Sequence, residues 1–180
     1  MTARRAGSAV VTFVLVSIVG LLIAASLALA GDDSVRDIKG ESKALQKNPE
    51  LDIARVQVAD EAGRRVKFKI TMFGKLDPSS RNTRPFILIN TKGGKKSEFE
   101  NLVYGPRVFE VVGPEKYEKV GANKFLTKRR TWIYRWKPRS IGLGDGDTFG
   151  WAVLASKGKA TDLAPTTYRD FEIDTIPPPA

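Results

Sequence analysis

Strict alternation of apolar and polar side chains marks the stretch from Val66 to Met72. Its apolar members are Val66, Phe68, Ile70 and Met72. Lysines and one threonine stand between them. Successive side chains of a strand point to opposite faces, so a period of two predicts a strand in a sheet with one buried and one solvated face.

Similar short segments occur throughout the chain from Leu51 onward. They are rich in β-branched and aromatic residues and are bounded by Gly, Pro, Asn or Asp at roughly ten-residue intervals. Helix signals are weak throughout. The predicted strands are Asp52–Ala59, Val66–Met72, Pro85–Asn90, Ser97–Val103, Arg107–Val112, Thr131–Lys137, Thr148–Ser156 and Phe171–Asp174. Residues 60–64, 91–96 and 144–148 supply turns between them. This spacing predicts an all-β fold, an antiparallel β-sandwich of immunoglobulin-like or jelly-roll-like type.

The first thirty residues predict export. Arg4 and Arg5 precede an uncharged apolar run over residues 9–30, which closes on Ala-Leu-Ala in the manner of a secretory signal peptide. Cleavage is predicted before Gly31. The alternative is an uncleaved membrane anchor, because the run approaches the roughly 20 residues that span a bilayer. Under either interpretation the rest of the chain is expected outside the cell or in its envelope, with membrane contact only through residues 9–30.

The remaining composition divides the chain further. Residues 1–30 are the signal or anchor, and residues 31–50 are polar and charged, which predicts a linker or a loosely packed arm. Residues 51–176 are the predicted sandwich, and residues 177–180 form a proline-rich tail.

The chain of 180 residues contains neither His nor Cys. This excludes Ser-His-Asp and Cys-His catalysis, zinc bound through nitrogen or sulfur, and disulfides. The formal net charge is +10, and loss of Arg4 and Arg5 leaves 28 basic against 20 acidic residues, or +8. A basic exported protein is expected to bind anionic surfaces such as wall polymers, acidic glycans or lipid headgroups, and export argues against a physiological nucleic-acid partner.

Five short stretches carry a family resemblance: Asp32-Asp33, Leu51-Asp52-Ile53, Phe86–Thr91, Gly146–Trp151 and Thr161–Pro165. In this succession the chain resembles exported bacterial β-sandwich domains of the carbohydrate-binding-module-nine-like and dopamine-monooxygenase-N-terminal-like type. The resemblance implies a sandwich fold and ligands that vary among sugars, haem and structural calcium. Haem is not expected here, because the chain lacks His and its one methionine after residue 30, Met72, lies on the apolar face of a strand.

Trp132, Tyr134 and Trp136 share one face of a predicted strand. Three rings in a row could form a platform on which sugar rings stack. The opposite face is the more polar one, which favours a core position for the rings instead. Trp136, nearest the strand end, is the ring expected to reach solvent.

Two clusters of basic residues stand on predicted loops. Lys128, Arg129 and Arg130, with Lys124, precede the aromatic strand, and Lys92, Lys95 and Lys96 occupy the tip of the hairpin over residues 91–96. If both loops lie at one end of the sandwich, they form a basic surface for phosphate or uronate groups. The alternative is an ordinary solvated charged surface.

Carboxylates suggest two further sites, both weaker than their structural alternatives. Asp32 and Asp33 could meet Asp162 and bind Ca²⁺ through oxygen ligands, although turn and cap roles are the favoured explanation. Two pairs, Glu98 with Glu100 and Asp145 with Asp147, lack the facing geometry across a cleft that glycoside hydrolysis needs. The sequence therefore predicts a non-enzymatic binding module without a cofactor, most simply one for cell-wall or extracellular glycan polymers. The alternative is a cell-surface protein-interaction or structural module without a glycan ligand.

Overall fold

A computed structural model of the chain describes residues 32–61, 64–77, 79, 82–92 and 99–173. These described residues form one compact unit. Its described part is nearly all strand, which confirms the predicted all-β class. The elements are β1 Asp32–Arg36, α1 Lys43–Lys47, β2 Ile53–Glu61, β3 Arg65–Met72, β4 Phe86–Asn90, β5 Asn101–Tyr104, β6 Arg107–Gly113, β7 Lys116–Lys128, β8 Thr131–Trp136, a 3-10 helix Pro138–Ile141, β9 Thr148–Lys157 and β10 Ala160–Glu172.

The strands form one antiparallel sheet in the order β1-β2-β3-β8-β7-β6-β5-β4-β9-β10. β7 belongs to two parts of this sheet: its residues up to Ala122 pair with β6, and those from Asn123 onward pair with β8. We call β1, β2, β3, β8 and the second part of β7 half A. The first part of β7 with β6, β5, β4, β9 and β10 is half B.

The inner faces of the two halves pack against each other and form the core. Phe68 of β3 meets Trp151 of β9 edge to face, with ring centroids 5.5 Å apart. The hydroxyl of Tyr134 on β8 donates a 2.9 Å hydrogen bond to the carbonyl of Pro85, just before β4. β10 also contacts β1 and β2, so the sheet nearly closes on itself. The described residues thus bury their own core, and we expect the unit to fold by itself.

Residues 31–50 were predicted to be a linker or a loosely packed arm, and this prediction is wrong for the described residues. β1 pairs with β2, with Val35 opposite Val56. Leu45 of α1 is 1% exposed and belongs to the core. The segment has too few apolar residues to show a periodic pattern, but one Val and one Leu are enough because β2 and β10 provide the surfaces they pack on.

Of the two longest strands, β7 was not predicted and β10 was predicted only at its end. The side chains of β7 are exposed from Lys116 to Val120, so this part of the strand has no buried face and no apolar alternation. In β10 the pairing with β9 shifts between Ala164 and Arg169, which interrupts the period of two. Of the predicted strand Phe171–Asp174, Phe171 and Glu172 are the last residues of β10, and Asp174 lies outside the described residues.

Several predictions lie outside the described residues. They concern the signal or anchor over residues 1–30, most of the lysine-rich hairpin tip, and the tail over residues 177–180. Within the described ranges, no helix has the length and apolar character that crossing a membrane requires.

Candidate functional site

The outer face of half A is built by the same alternation that fills the core. In β3 the four apolar residues are fully buried, which turns Lys67, Lys69 and Thr71 outward. In β8 the three aromatic rings are buried, which turns Thr131, Ile133 and Arg135 outward. The buried pattern therefore fixes the positions of the polar side chains on this surface.

Strand pairing collects these outward residues into rows. Lys67 lies opposite Arg135, and Arg135 lies opposite Lys124 of β7. One row below, Lys69 lies opposite Ile133. Directly paired residues point to the same face, so basic side chains from three neighbouring strands meet there.

The β7-β8 hairpin adds three consecutive basic residues, and its backbone is fixed to the rest of half A. Arg129 has a positive φ of 54° at the tip of this tight turn. The Met72 amide donates to the Arg130 carbonyl at 2.8 Å, and the Leu76 amide donates to the Arg129 carbonyl at 3.1 Å. These hydrogen bonds attach the turn to the end of β3 and to the segment that follows it, and the cations of the turn line the groove on the outer face.

Together these elements line a groove of about 660 Å³. Six of its nine lining residues are basic. The lining comprises Lys67, Lys69, Thr71, Lys128, Arg129, Arg130, Thr131, Ile133 and Arg135. We call this surface the basic groove.

Only part of the positive charge in the basic groove is neutralised by ion pairs. Glu61 of β2 lies 2.6 Å from the Arg135 Nε and 3.8 Å from the Lys67 Nζ. Within the described residues, the ion pairs involve neither Lys69 nor the three cations of the hairpin. Since like charges repel when crowded on one surface, four unpaired cations favour an anionic ligand.

Of the five predicted basic residues that the structure describes, three lie together in the basic groove. Lys128, Arg129 and Arg130 all line the basic groove. Lys92 follows β4 in half B and does not line it. Lys95 and Lys96 lie outside the described residues. Lys67, Lys69 and Arg135 were not predicted as site residues, although their place on the wet face of alternating strands was a signal that could have found them.

The predicted aromatic platform is not a surface. Trp132 and Tyr134 are 0% exposed and Trp136 is 1% exposed. The alternative of a core position is therefore correct, and the expectation that Trp136 reaches solvent is wrong. Trp136 packs against Phe149 of β9 at 5.8 Å between ring centroids, because half B covers this end of the strand.

The three aspartates proposed for calcium do not form a site in the described residues. Asp33 forms a 2.6 Å ion pair with Arg169 and lies opposite Val58. Asp162 instead accepts a hydrogen bond from the Ile53 amide. Ile53 is five residues before Val58 on β2, so Asp33 and Asp162 bind to points of that strand about 16 Å apart. The side chain of Asp32 is not described. No three acidic side chains of the described residues are grouped so that they could bind one metal ion.

The carboxylate pairs considered for catalysis have structural partners. Asp147 accepts a 2.7 Å hydrogen bond from the Gly144 amide and caps its own turn. Asp145 lies 3.7 Å from Arg64. Glu100 accepts from the Thr91 amide at 2.9 Å, and Glu98 lies outside the described residues.

A group of buried carboxylates lies instead where β2 meets β10. Asp52 is 1% exposed and accepts from the Gly40 amide at 2.8 Å, and Asp162 is 4% exposed. The pKa of Asp162 is raised to about 6, chiefly by burial and also by the nearby acidic residues. The hydrogen bond from the Ile53 amide lowers the pKa and partly offsets this rise. Burial also raises the pKa of Asp37 and of Asp52. Their hydrogen bonds to main-chain amides indicate a structural role.

Sequence reasoning missed a second surface, on the outer face of half B. In β4, Phe86 and Leu88 point outward and alternate with the buried Ile87 and Ile89. A strand that is apolar on both faces, in a sheet with only one core, was a signal for such a surface.

In comparisons with known proteins, the chain matches no family model, no curated protein and no solved structure. The resemblance to carbohydrate-binding-module-nine-like and dopamine-monooxygenase-N-terminal-like domains stays a prediction.

Proposed function

We propose that this chain is a non-catalytic binding domain of the cell exterior whose basic groove binds anionic polymers, foremost glycans that carry carboxylate or phosphate groups. The observation that carries the proposal is the set of six basic side chains around one groove, of which Glu61 pairs with two, Lys67 and Arg135. Arginine binds such oxyanions through two parallel hydrogen bonds, and lysine acts as a compact point charge.

The shape of the basic groove suits a chain better than a small ion. Its cations are spread over β3, β8 and the β7-β8 hairpin, and its volume is about 660 Å³. A repeating anionic chain lying across these strands brings successive charges to successive cations. Ionic contact, rather than stacking on Trp132 or Trp136, is therefore the proposed binding mode, because both rings are buried.

A second candidate is a protein-interaction module without a glycan ligand. The burial of Trp132, Tyr134 and Trp136 favours it, because those rings are then structural and offer nothing to a sugar. An acidic protein partner would use the same cations, so the two candidates differ in the ligand and not in the residues.

The test is sedimentation of the unit over residues 31–180 with immobilised polygalacturonate, an anionic glycan, and with cellulose, a neutral one. We expect binding to polygalacturonate that weakens as salt rises, and none to cellulose. Lys69→Glu together with Lys128→Glu should abolish it. The matched control is Lys157→Glu with Lys159→Glu, which makes the same change in net charge at exposed positions outside the basic groove.

Equal loss of binding in both double variants would mean that net charge alone causes retention, and it would contradict the proposal. Absence of binding by the unchanged protein would also contradict it and favour the protein-interaction candidate.

A further inference from the structure

The outer face of half B carries an apolar groove of about 440 Å³. Five of its eight lining residues are aromatic. The lining comprises Phe86, Leu88, Phe99, Leu102, Tyr104, Phe109, Tyr117 and Leu154. We call it the apolar groove. Exposed apolar patches on a soluble domain commonly mark ligand or partner sites, and this volume lies within the usual range of small-molecule sites.

The lining is ordered by ring packing and is almost free of polar groups. Phe86 and Tyr104 stack with their centroids 4.5 Å apart and an angle of 15° between their planes. Among the eight side chains, the polar atoms are the hydroxyls of Tyr104 and Tyr117. A sugar needs many hydrogen-bonding partners, so this lining suits a hydrocarbon better than a glycan.

The apolar groove runs across several strands. Its lining residues come from β9, β4, β5, β6 and β7, five adjacent strands, and four spacings between strands amount to about 19 Å. An α-helix is about 10–12 Å across with its side chains, so a helix of that length needs several times the available volume. An extended alkyl chain fits this span and the volume of about 440 Å³.

Charge distinguishes the two ends of the apolar groove. On β6, Arg107 lies opposite Tyr104, and Lys119 of β7 lies opposite Phe109, so both cations share the outer face with the groove. At the other end Leu154 lies opposite Leu163 of β10.

The acidic residue Glu100 is also part of half B, and its carboxylate accepts from the Thr91 amide. It therefore does not neutralise the cations at the β6-β7 end. Glu110 and Glu118 lie opposite each other on that ladder, each one position from Phe109 or Lys119, so their side chains point to the other face of the strands. The surface is apolar along its length and positive at one end.

We propose that the apolar groove binds a free long-chain fatty acid, with its alkyl chain across the five strands and its carboxylate at Arg107 and Lys119. Charge complementarity selects an anionic head, and the groove volume selects a single chain. This inference does not depend on the proposed function of the basic groove, which lies in the other half of the sheet.

The test is isothermal titration of the unit over residues 31–180 with octanoate, decanoate and dodecanoate below their micelle concentrations. Each buried CH₂ should tighten the Kd about fourfold, so dodecanoate should bind far more tightly than octanoate. Dodecyltrimethylammonium, which has the same chain and a cationic head, should bind much more weakly. Equal affinity across the series, or for the two heads, would overturn the proposal.

Variants assign the binding to this surface. Leu88→Asn should weaken dodecanoate binding by at least tenfold, and Lys119→Glu should remove the preference for the anionic head. Leu126→Asn is the matched control, because Leu126 is a 56% exposed leucine in half A. Unchanged affinity in the folded Leu88→Asn protein, checked by circular dichroism, would overturn the assignment. Binding to anionic phospholipid vesicles without binding to dodecanoate would overturn it as well and indicate a membrane surface as the ligand.

Discussion

The carboxylate of Asp162 on β10 accepts a 2.6 Å hydrogen bond from the main-chain amide of Ile53 at the start of β2. The pairing of β2 with β3 shifts between Ile53 and Arg55, so the sheet ladder is irregular at this point. Asp162 supplies the acceptor that the buried amide would otherwise lack, and it joins the two ends of the sheet. A buried N–H without a partner costs about 1–3 kcal/mol.

The stability of the fold should depend on pH through Asp162. Its pKa is about 6 in the folded protein against 3.8 for an ordinary aspartate, so the folded state favours the protonated form. The contribution of the protonated Asp162 side chain to the free energy of unfolding is therefore fully present below pH 3.8, and it is lost as the pH rises through 6. Asn at this position keeps an oxygen acceptor and does not titrate.

We therefore expect Asp162→Asn to gain stability relative to the unchanged protein between about pH 4 and 7, by on the order of 2 kcal/mol. Urea unfolding of both proteins across this range measures the difference. A difference that stays constant with pH would mean that Asp162 does not titrate there.

Truncation of Leu45 should destabilise the whole domain, because this side chain is the part of α1 that packs in the core. For Leu45→Ala we expect the free energy of unfolding to fall by about 2–5 kcal/mol. Ile38→Ala is the control in the same segment, since Ile38 is 73% exposed and its removal should change little. Urea denaturation measures both. Similar small effects for the two variants would support the linker interpretation of residues 31–50.

Gly74 is required by space. A Cβ at this position would lie 2.4 Å from the carbonyl carbon of Pro49 and 2.5 Å from the amide nitrogen of Glu50, and neither main-chain atom can move freely. Gly74→Ala should lower the free energy of unfolding by about 1–3 kcal/mol or more. Gly144→Ala is the control, because a Cβ there would lie an ordinary 3.7 Å from its nearest neighbour, an Asp147 side-chain oxygen. Thermal melts of both variants test the prediction, and equal midpoints would refute it.

All three tryptophans should be shielded from an aqueous quencher. Trp132 and Trp151 are 0% exposed and Trp136 is 1% exposed. Acrylamide should therefore quench the native fluorescence weakly and the urea-unfolded protein strongly. Strong quenching of the native state would mean that a ring reaches solvent, and it would restore the stacking platform.

The two segments that form the basic groove show what can be predicted from the sequence and what cannot. The alternation over residues 66–72 assigns Lys67 and Lys69 to a wet face, and the run of Lys128, Arg129 and Arg130 is visible as a charged turn. Nothing in the sequence places these two segments together. They meet because β8 pairs with β3, a contact between residues far apart in the chain.

The sequence by itself determined the strands that have one buried and one solvated face, because a period of two is a local property of the chain. For Trp132, Tyr134 and Trp136 it allowed two alternatives, an exposed platform or a core position. An apolar stripe on a strand has the same sequence pattern whether or not another layer of the sheet covers it. Only the tertiary structure decided that half B covers these rings, and that the apolar side of β4 remains open as a groove. Strand order and sheet packing depend on long-range contacts, which no local pattern encodes.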